Sequence, residues 1–195
     1  MADLHLGKEE TFLHFGVPMP ATVLEETLER LGRLAAAAPV RRIVVVGDLV
    51  HARAGLSPAV VDRVARWRRS FPGSVELVAG NHDRCVAAMP ASWGIEPLAE
   101  EVLDGPFAYR HEPPVDDGRR DDGRLVWCGH LHPTVRIAGG IALPAFLVGR
   151  SRAVLPAFTA FARGPGVAVG PHDRVFAAAS GQVVEVATTS VVRGR

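Results

Sequence analysis

Leu24, Leu28, Leu31 and Leu34 recur at helical spacing between residues 21 and 38, and Pro39 follows as a stop signal. The spacing predicts an amphipathic helix. Ile43-Val44-Val45-Val46 is a different pattern, a short β-branched run of the kind found in strands buried on both faces. Ser57 before Pro58 reads as an N-cap followed by proline at the first helical position, opening a second helix through Val60, Val61, Val64 and Trp67. Apolar runs at 75–79, 107–110 and 125–128 read as further strands.

From residue 134 onward the chain changes character. Short strand-like pieces at 135–138, 145–148, 167–169, 175–178 and 183–187 are separated by turns containing glycine and proline. They predict a second sheet, mostly antiparallel, packed in the same domain. The mixed charges of 116–124 predict a solvated loop. A chain of 195 residues that is 48% apolar fits one domain spanning 1–195, of the α/β class, with enough length to bury its own core.

Composition narrows the setting. No stretch approaches the roughly 20 apolar residues that cross a bilayer, and the amino terminus lacks a basic segment followed by an apolar run. A soluble, cytoplasmic protein is expected. Cys85 and Cys128 form no paired spacing and read as buried thiols. A net charge of +1 excludes a global positive field of the kind that dominates non-specific nucleic-acid binding, so any DNA contact must be local. Lys8 is the lone lysine among 22 basic residues, a bias shared with abundant alanine, glycine and proline and therefore weak as a functional signal.

Four of the predicted strands end in polar clusters. Gly47-Asp48 follows the first, Gly80-Asn81-His82-Asp83 the second, His111 the third and Gly129-His130-Leu131-His132 the fourth, while Asp3-Leu4-His5 opens the chain. In open α/β sheets functional groups gather outside the carboxyl ends of strands, so these clusters are expected to meet in one crevice. Carboxylate, amide and imidazole donors without thiolate suit Mn²⁺, Fe²⁺ or Zn²⁺, and their number is enough for two adjacent divalent ions. Five of the eight histidines fall in these clusters; the others are His14, His51 and His172. Metal-assisted hydrolysis is the chemistry indicated.

In this order, Asp-x-His, Gly-Asp, Gly-Asn-His-Asp, His and Gly-His-x-His resemble the calcineurin-like metallophosphoesterase superfamily across residues 3–132. The resemblance implies a four-layer α/β sandwich with two mixed sheets flanked by helices. It implies that Asp3, His5, Asp48 and His132 hold one ion, that Asp48, Asn81, His111 and His130 hold the other, and that Asp48 bridges them. A metal pair about 3.5 to 4 Å apart activates water and clamps the phosphoryl oxygens during in-line displacement. His82 would face the phosphate and assist the leaving oxygen, making Asp48 and His82 the catalytic pair. Asp83 either orients His82 or stabilises its turn.

Finer features resemble the ligase-associated DNA damage response endonuclease (PdeM-like) subfamily: the run 3–8, Gly47-Asp48-Leu49-Val50-His51, His111-Glu112-Pro113, Gly129-His130-Leu131-His132-Pro133 and Leu155-Pro156-Ala157-Phe158. That resemblance implies a DNA phosphodiesterase working in repair alongside a DNA ligase and a helicase; Mn²⁺ is the ion expected first, and no membrane partner is expected. His51 and Lys8 are candidates for touching substrate. Arg63, Arg66, Arg68 and Arg69 either line a DNA path or form a solvated helix face. Two other functions stay open, a small-molecule phosphodiesterase or pyrophosphatase acting on nucleotides or lipid precursors, and a metal-binding scaffold subunit without turnover.

One departure concerns the start. The family pattern has a strand before Asp-x-His, but only Met1 and Ala2 precede Asp3, too few for a typical strand of five or six residues. A further strand-forming segment upstream is expected. With the short start alone, Asp3 and His5 are expected to be poorly anchored.

Overall fold

The structure, a computed structural model, describes residues 1–85, 89–114, 120, 122–137, 140–159, 161–162, 164 and 169–187. In chain order the elements are α1 (Lys8–His14), α2 (Val23–Ala37), β1 (Arg42–Val46), α3 (Pro58–Ser70), β2 (Ser74–Val78), β3 (Glu96–Leu98), β4 (Glu101–Asp104), β5 (Phe107–Arg110), β6 (Leu125–Cys128), β7 (Thr134–Arg136), β8 (Ala142–Val148), β9 (Arg152–Val154), β10 (Arg174–Ala179) and β11 (Gln182–Val186). Of the expected pieces, most of 116–124 and 167–169 lies outside the described residues, as does the Cys85 side chain.

Both predicted helices form. Ser57 Oγ accepts from Val60 N at 3.3 Å, the cap the sequence called for, with Pro58 in the first turn of α3. At the start of α2, Thr22 makes no side-chain cap. Glu9 caps that helix instead, its Oε1 accepting from Leu24 N at 2.8 Å, so α1 is fastened to α2 through a buried carboxylate. The two helices pack Leu24, Leu28, Leu31, Val60 and Val64 onto Ile43, Val45, Val75 and Leu77 of β1 and β2.

The strands divide between two sheets. A three-stranded sheet has the order β1-β2-β3 and is parallel throughout. An eight-stranded sheet runs β11-β10-β8-β9-β6-β5-β4, with β7 paired to β8. It is mixed: β6 pairs in parallel with β5 and β9, and its other pairings are antiparallel. Its own core holds Ala108, Val126, Cys128, Val135, Ala145, Leu147, Val154, Val175 and Ala177. The candidate ligands other than Asp3 and His5 therefore follow the carboxyl ends of two strands in each sheet, β1 and β2 in one and β5 and β6 in the other.

The first residues are anchored, contrary to the expectation for so short a start. Val46 N donates to Met1 O at 2.7 Å and the Met1 amino group donates to Val44 O at 3.0 Å, while Phe158 N donates to Ala2 O at 2.9 Å. Met1 and Ala2 thus lie between β1 and the 157–159 segment. Along the same edge, Arg42 and Val44 border a cavity of about 330 Å³ that Met1, Val46, Tyr109, Trp127 and Leu155 also line.

Candidate metal centre

Backbone hydrogen bonds join the loops that carry the site. Asp3 N donates to Gly47 O at 3.0 Å, His5 N to Asp48 O at 2.9 Å and Leu6 N to Leu49 O at 2.8 Å, so the Asp3-Leu4-His5 segment runs alongside the loop leaving β1. Gly129 N donates to His111 O at 3.0 Å, tying the loops after β5 and β6. The Asp3 carboxylate crosses between these groups and accepts from His130 N at 3.1 Å. Gly47 and Gly80 permit the closeness: Gly47 sits at φ +81°, and a Cβ there would overlap the His111 ring, whereas one at Gly80 would overlap the Asp48 carboxylate.

The side chains then converge as two sets sharing one residue. Ligand atoms of Asp3, His5, Asp48 and His132 all lie within 4.8 Å of one another, and so do those of Asp48, His111 and His130. Asn81 Oδ1 lies beside the second set, 2.9 Å from His111 Nε2 and 3.1 Å from His130 Nδ1. Nitrogen faces nitrogen at 3.4 Å between His5 Nε2 and His132 Nε2, and at 3.2 Å between His130 Nδ1 and His111 Nε2. Imidazole nitrogens gathered this closely beside two buried carboxylates, Asp3 and Asp48, make a donor set that suits cations. The residues fit divalent metal ions, with Asp48 placed to serve both.

Ring orientation agrees with this use. His111 Nδ1 lies 3.2 Å from Val46 O and His82 Nδ1 lies 2.7 Å from His51 O, so each ring donates its Nδ1–H to a backbone carbonyl and turns Nε2 into the site. Backbone strain is concentrated at the same residues. Of six non-glycine residues with positive φ among the described residues, five are Asp3, His5, Asp48, His130 and His132. Such conformations cost about 1 to 3 kcal/mol each and persist where the surroundings over-determine them, typically at functional sites.

His82 stands beside the second set. Its backbone N donates to Asp48 Oδ1 at 3.0 Å, and its Nε2 lies 4.0 Å from Asp48 Oδ2. His51, absent from the expected ligand sets, is drawn in: its ring stacks on His82 with centroids 5.0 Å apart and on Phe12 at 5.6 Å. Lys8 Nζ donates to Phe161 O at 2.7 Å. Arg63 pairs with Glu25 of α2 at 3.0 Å, and Arg68 donates to Phe71 O, which uses two of the four arginines of α3 within the fold. His14 and His172 are exposed and away from the cluster.

Asp83 fastens two ligand loops together. Its buried carboxylate accepts from Val50 N at 3.0 Å and from Gly80 N at 2.9 Å, so of its two expected roles the turn-stabilising one has a visible basis. Asp83→Ala leaves two buried N–H groups without acceptors and is expected to cost about 2 to 4 kcal/mol. Thermal unfolding should show it as a Tm lower by roughly 5 to 15 °C, with Asp83→Asn in between.

Burial, then the neighbouring His132, His82, His51 and Lys8, lowers the His5 pKa to about 2, and burial, then Lys8 and His82, lowers His51 to about 4. Both folded values lie below the ordinary 6.5, so the unfolded chain binds more protons and stability falls as pH drops below about 6.5. Asp83, raised by burial, acts with the opposite sign, but only from the carboxylate range upward and as one group against two. With chelator present, Tm is expected to fall between pH 7.5 and pH 5; a flat profile in scanning calorimetry would contradict the neutral state of these rings.

The structure superposes on nuclease MPE from Pseudomonas putida with a TM-score of 0.79 and 33% sequence identity, over 95% of this chain and 86% of that one. The chain belongs to the metallophosphoesterase superfamily. Within it, the similarity is to the PdeM-like subfamily. A phosphoesterase from E. coli, Yfce, matches at a TM-score of 0.38 and 17% identity over 77% of this chain and 80% of that one, too low to add to the assignment. No family profile matches the chain. No curated protein matches it in sequence. With its buried histidine and aspartate cluster, this metallophosphoesterase is a metal-dependent phosphoesterase. Among the described residues, no helix is long and apolar enough to cross a membrane.

Proposed function

We propose that this metallophosphoesterase hydrolyses phosphodiester bonds in DNA, as an endonuclease of DNA repair in the cytoplasm, using two divalent ions of which Mn²⁺ is the foremost candidate and Fe²⁺ or Zn²⁺ the others. Asp3, His5, Asp48 and His132 would hold one ion, and Asp48, Asn81, His111 and His130 the other. Bound ions supply charge neutralisation at the phosphoryl oxygens and activation of water. Asp48 fixes the spacing of the two positions, and the backbone carbonyls of Val46 and His51 keep the His111 and His82 rings turned inward. His82 assists the leaving oxygen from its place beside Asp48. Lys8, whose charge is felt at both His5 and His51, adds positive potential for an anionic diester.

The observation that carries this reading is the sharing of Asp48 between two ligand sets in a chain similar over most of its length to a nuclease. The reading includes a single domain built as a four-layer sandwich and, by the subfamily's pattern, partnership with a DNA ligase and a helicase. A specific observation supports a second reading: the net charge of +1 is small for a DNA-binding enzyme and suits a nucleotide or lipid-precursor diester equally. Hydrolysis of a chromogenic phosphodiester, single-stranded DNA and duplex DNA with Mn²⁺ separates the two. Cleavage of the chromogenic diester alone would remove the DNA assignment, and turnover of none by protein carrying two ions would remove catalysis and leave the scaffold.

A further inference from the structure

His51, like His82, is packed into this site without a place in either ligand set. Its ring is sandwiched between Phe12 of α1 and His82, nearly parallel to both, at interplanar angles of 29° and 21°. Its Nδ1 lies 3.3 Å from Nδ1 of His5. His5 offers its other nitrogen, Nε2, to the first ligand set, 3.4 Å from His132 Nε2 and 3.9 Å from Asp48 Oδ2.

Imidazole chemistry leaves one arrangement of protons. A histidine that ligates through Nε2 carries its single proton on Nδ1, and that N–H needs an acceptor. His82 and His111 meet the requirement with backbone carbonyls. At His5 the facing atom is His51 Nδ1, which accepts only if the His51 proton is on Nε2. We propose that His51 is a positioning residue of the metal centre, holding His5 in its ligating tautomer and orientation by accepting the Nδ1–H of His5.

The proposal rests on the two-ion reading of the site and assigns His51 a role other than phosphate contact. Residue 51 then fixes two rings at once, His82 through its carbonyl and His5 through its imidazole. Phe12 supplies the wall that keeps the His51 ring from turning away, which gives α1 a function at the site. A substitution at position 51 removes the imidazole and leaves the carbonyl that holds His82.

The test is Mn²⁺ binding followed by electron paramagnetic resonance in wild type, His51→Leu and His51→Asn, with folding checked by Tm. Loss of an acceptor behind a metal-bound histidine costs about 10- to 100-fold in metal affinity. His51→Leu should weaken one of the two ions by that factor and the other by much less. His51→Asn, whose Oδ1 takes the place of Nδ1, should recover most of the loss. In Zn²⁺-loaded wild type, ¹⁵N spectra should show His5 protonated on Nδ1 and His51 on Nε2.

Undiminished affinity in His51→Leu, no recovery in His51→Asn, or the reverse tautomers would overturn the proposal while leaving the two-ion reading intact. A third tightly bound ion in wild type would overturn it as well, because His5, His51 and His82 would then be ligands in their own right. Wild type that binds fewer than two ions would instead refute the two-ion reading, and this proposal with it.

Discussion

Asp48→Asn is expected to bind one ion or none in place of two and to lose turnover by more than about 10³-fold. Removing a single electrostatic stabiliser commonly costs 10²- to 10³-fold, and Asp48 serves both ligand sets, so its loss removes more than one contact. Asparagine keeps the shape and the Oδ1 that accepts from His82 N, so the loop after β2 stays in register. Stability should move the other way. In metal-free protein Asp48 is a buried carboxylate close to Asp3, and neutralising it removes a desolvated charge. The metal-free variant is expected to unfold at the same temperature as metal-free wild type or above it. A variant with two ions at wild-type affinity would show that Asp48 does not join the sets; a Tm well below wild type would show that its main service is to the fold.

The expected direction of that stability change follows from how the site is built. Asp3, His5, Asp48, His130 and His132 all hold left-handed backbone, two carboxylates are buried beside them, and imidazole nitrogens face each other at 3.2 and 3.4 Å. Each feature costs folding free energy in the absence of a cation. The strands beneath them carry that cost, since Val45, Val46, Leu77, Val78, Val126 and Cys128 are all buried.

These strands and their terminal clusters are also what the sequence displayed most clearly. A short apolar run ending in a polar donor is a local pattern, and Gly47-Asp48, Gly80 to Asp83, His111 and Gly129 to His132 could be placed from it without tertiary information. The Ser57-Pro58 start of α3 was local in the same way. Other features depend on distant residues and left no local trace. Helix α1 is only seven residues long and begins at a left-handed Gly7 with no side-chain cap, so neither periodicity nor a cap residue marks it. The cap of α2 comes from Glu9, fifteen positions before the N–H it accepts.

Leu34 continues the helical stripe of α2 yet is 49% exposed, and it is Ala35 of the last turn that packs against the core. Strands β3 and β4, with Glu96, Glu101 and Asp104, lack the alternation that marks a half-buried strand. The division of the ligand strands between two sheets was not legible either, since β1, β2, β5 and β6 look alike as short apolar runs. The tautomer chain through His51 is a property of three-dimensional proximity alone.

His82→Ala is expected to keep both ions and lose turnover by about 10²- to 10⁴-fold, the range for a positioned acid or base. The separation of metal content from rate follows from where the ring is held. Its Nδ1 is committed to the His51 carbonyl, and its Nε2 is 4.0 Å from Asp48 Oδ2, outside both ligand sets that share Asp48. The backbone N of residue 82, which does contact Asp48, survives the substitution. What disappears is a nitrogen able to protonate or stabilise the departing oxygen. The loss should therefore depend on the leaving group. A nitrophenolate departs without a proton, so a chromogenic diester should lose little if His82 acts as an acid, whereas the alkoxide leaving group of DNA needs the proton and should lose the full factor. Equal losses on both substrates would assign His82 to stabilising charge on the phosphoryl group. Loss of both ions in His82→Ala would make it a ligand and undo the division of roles on which the site is built.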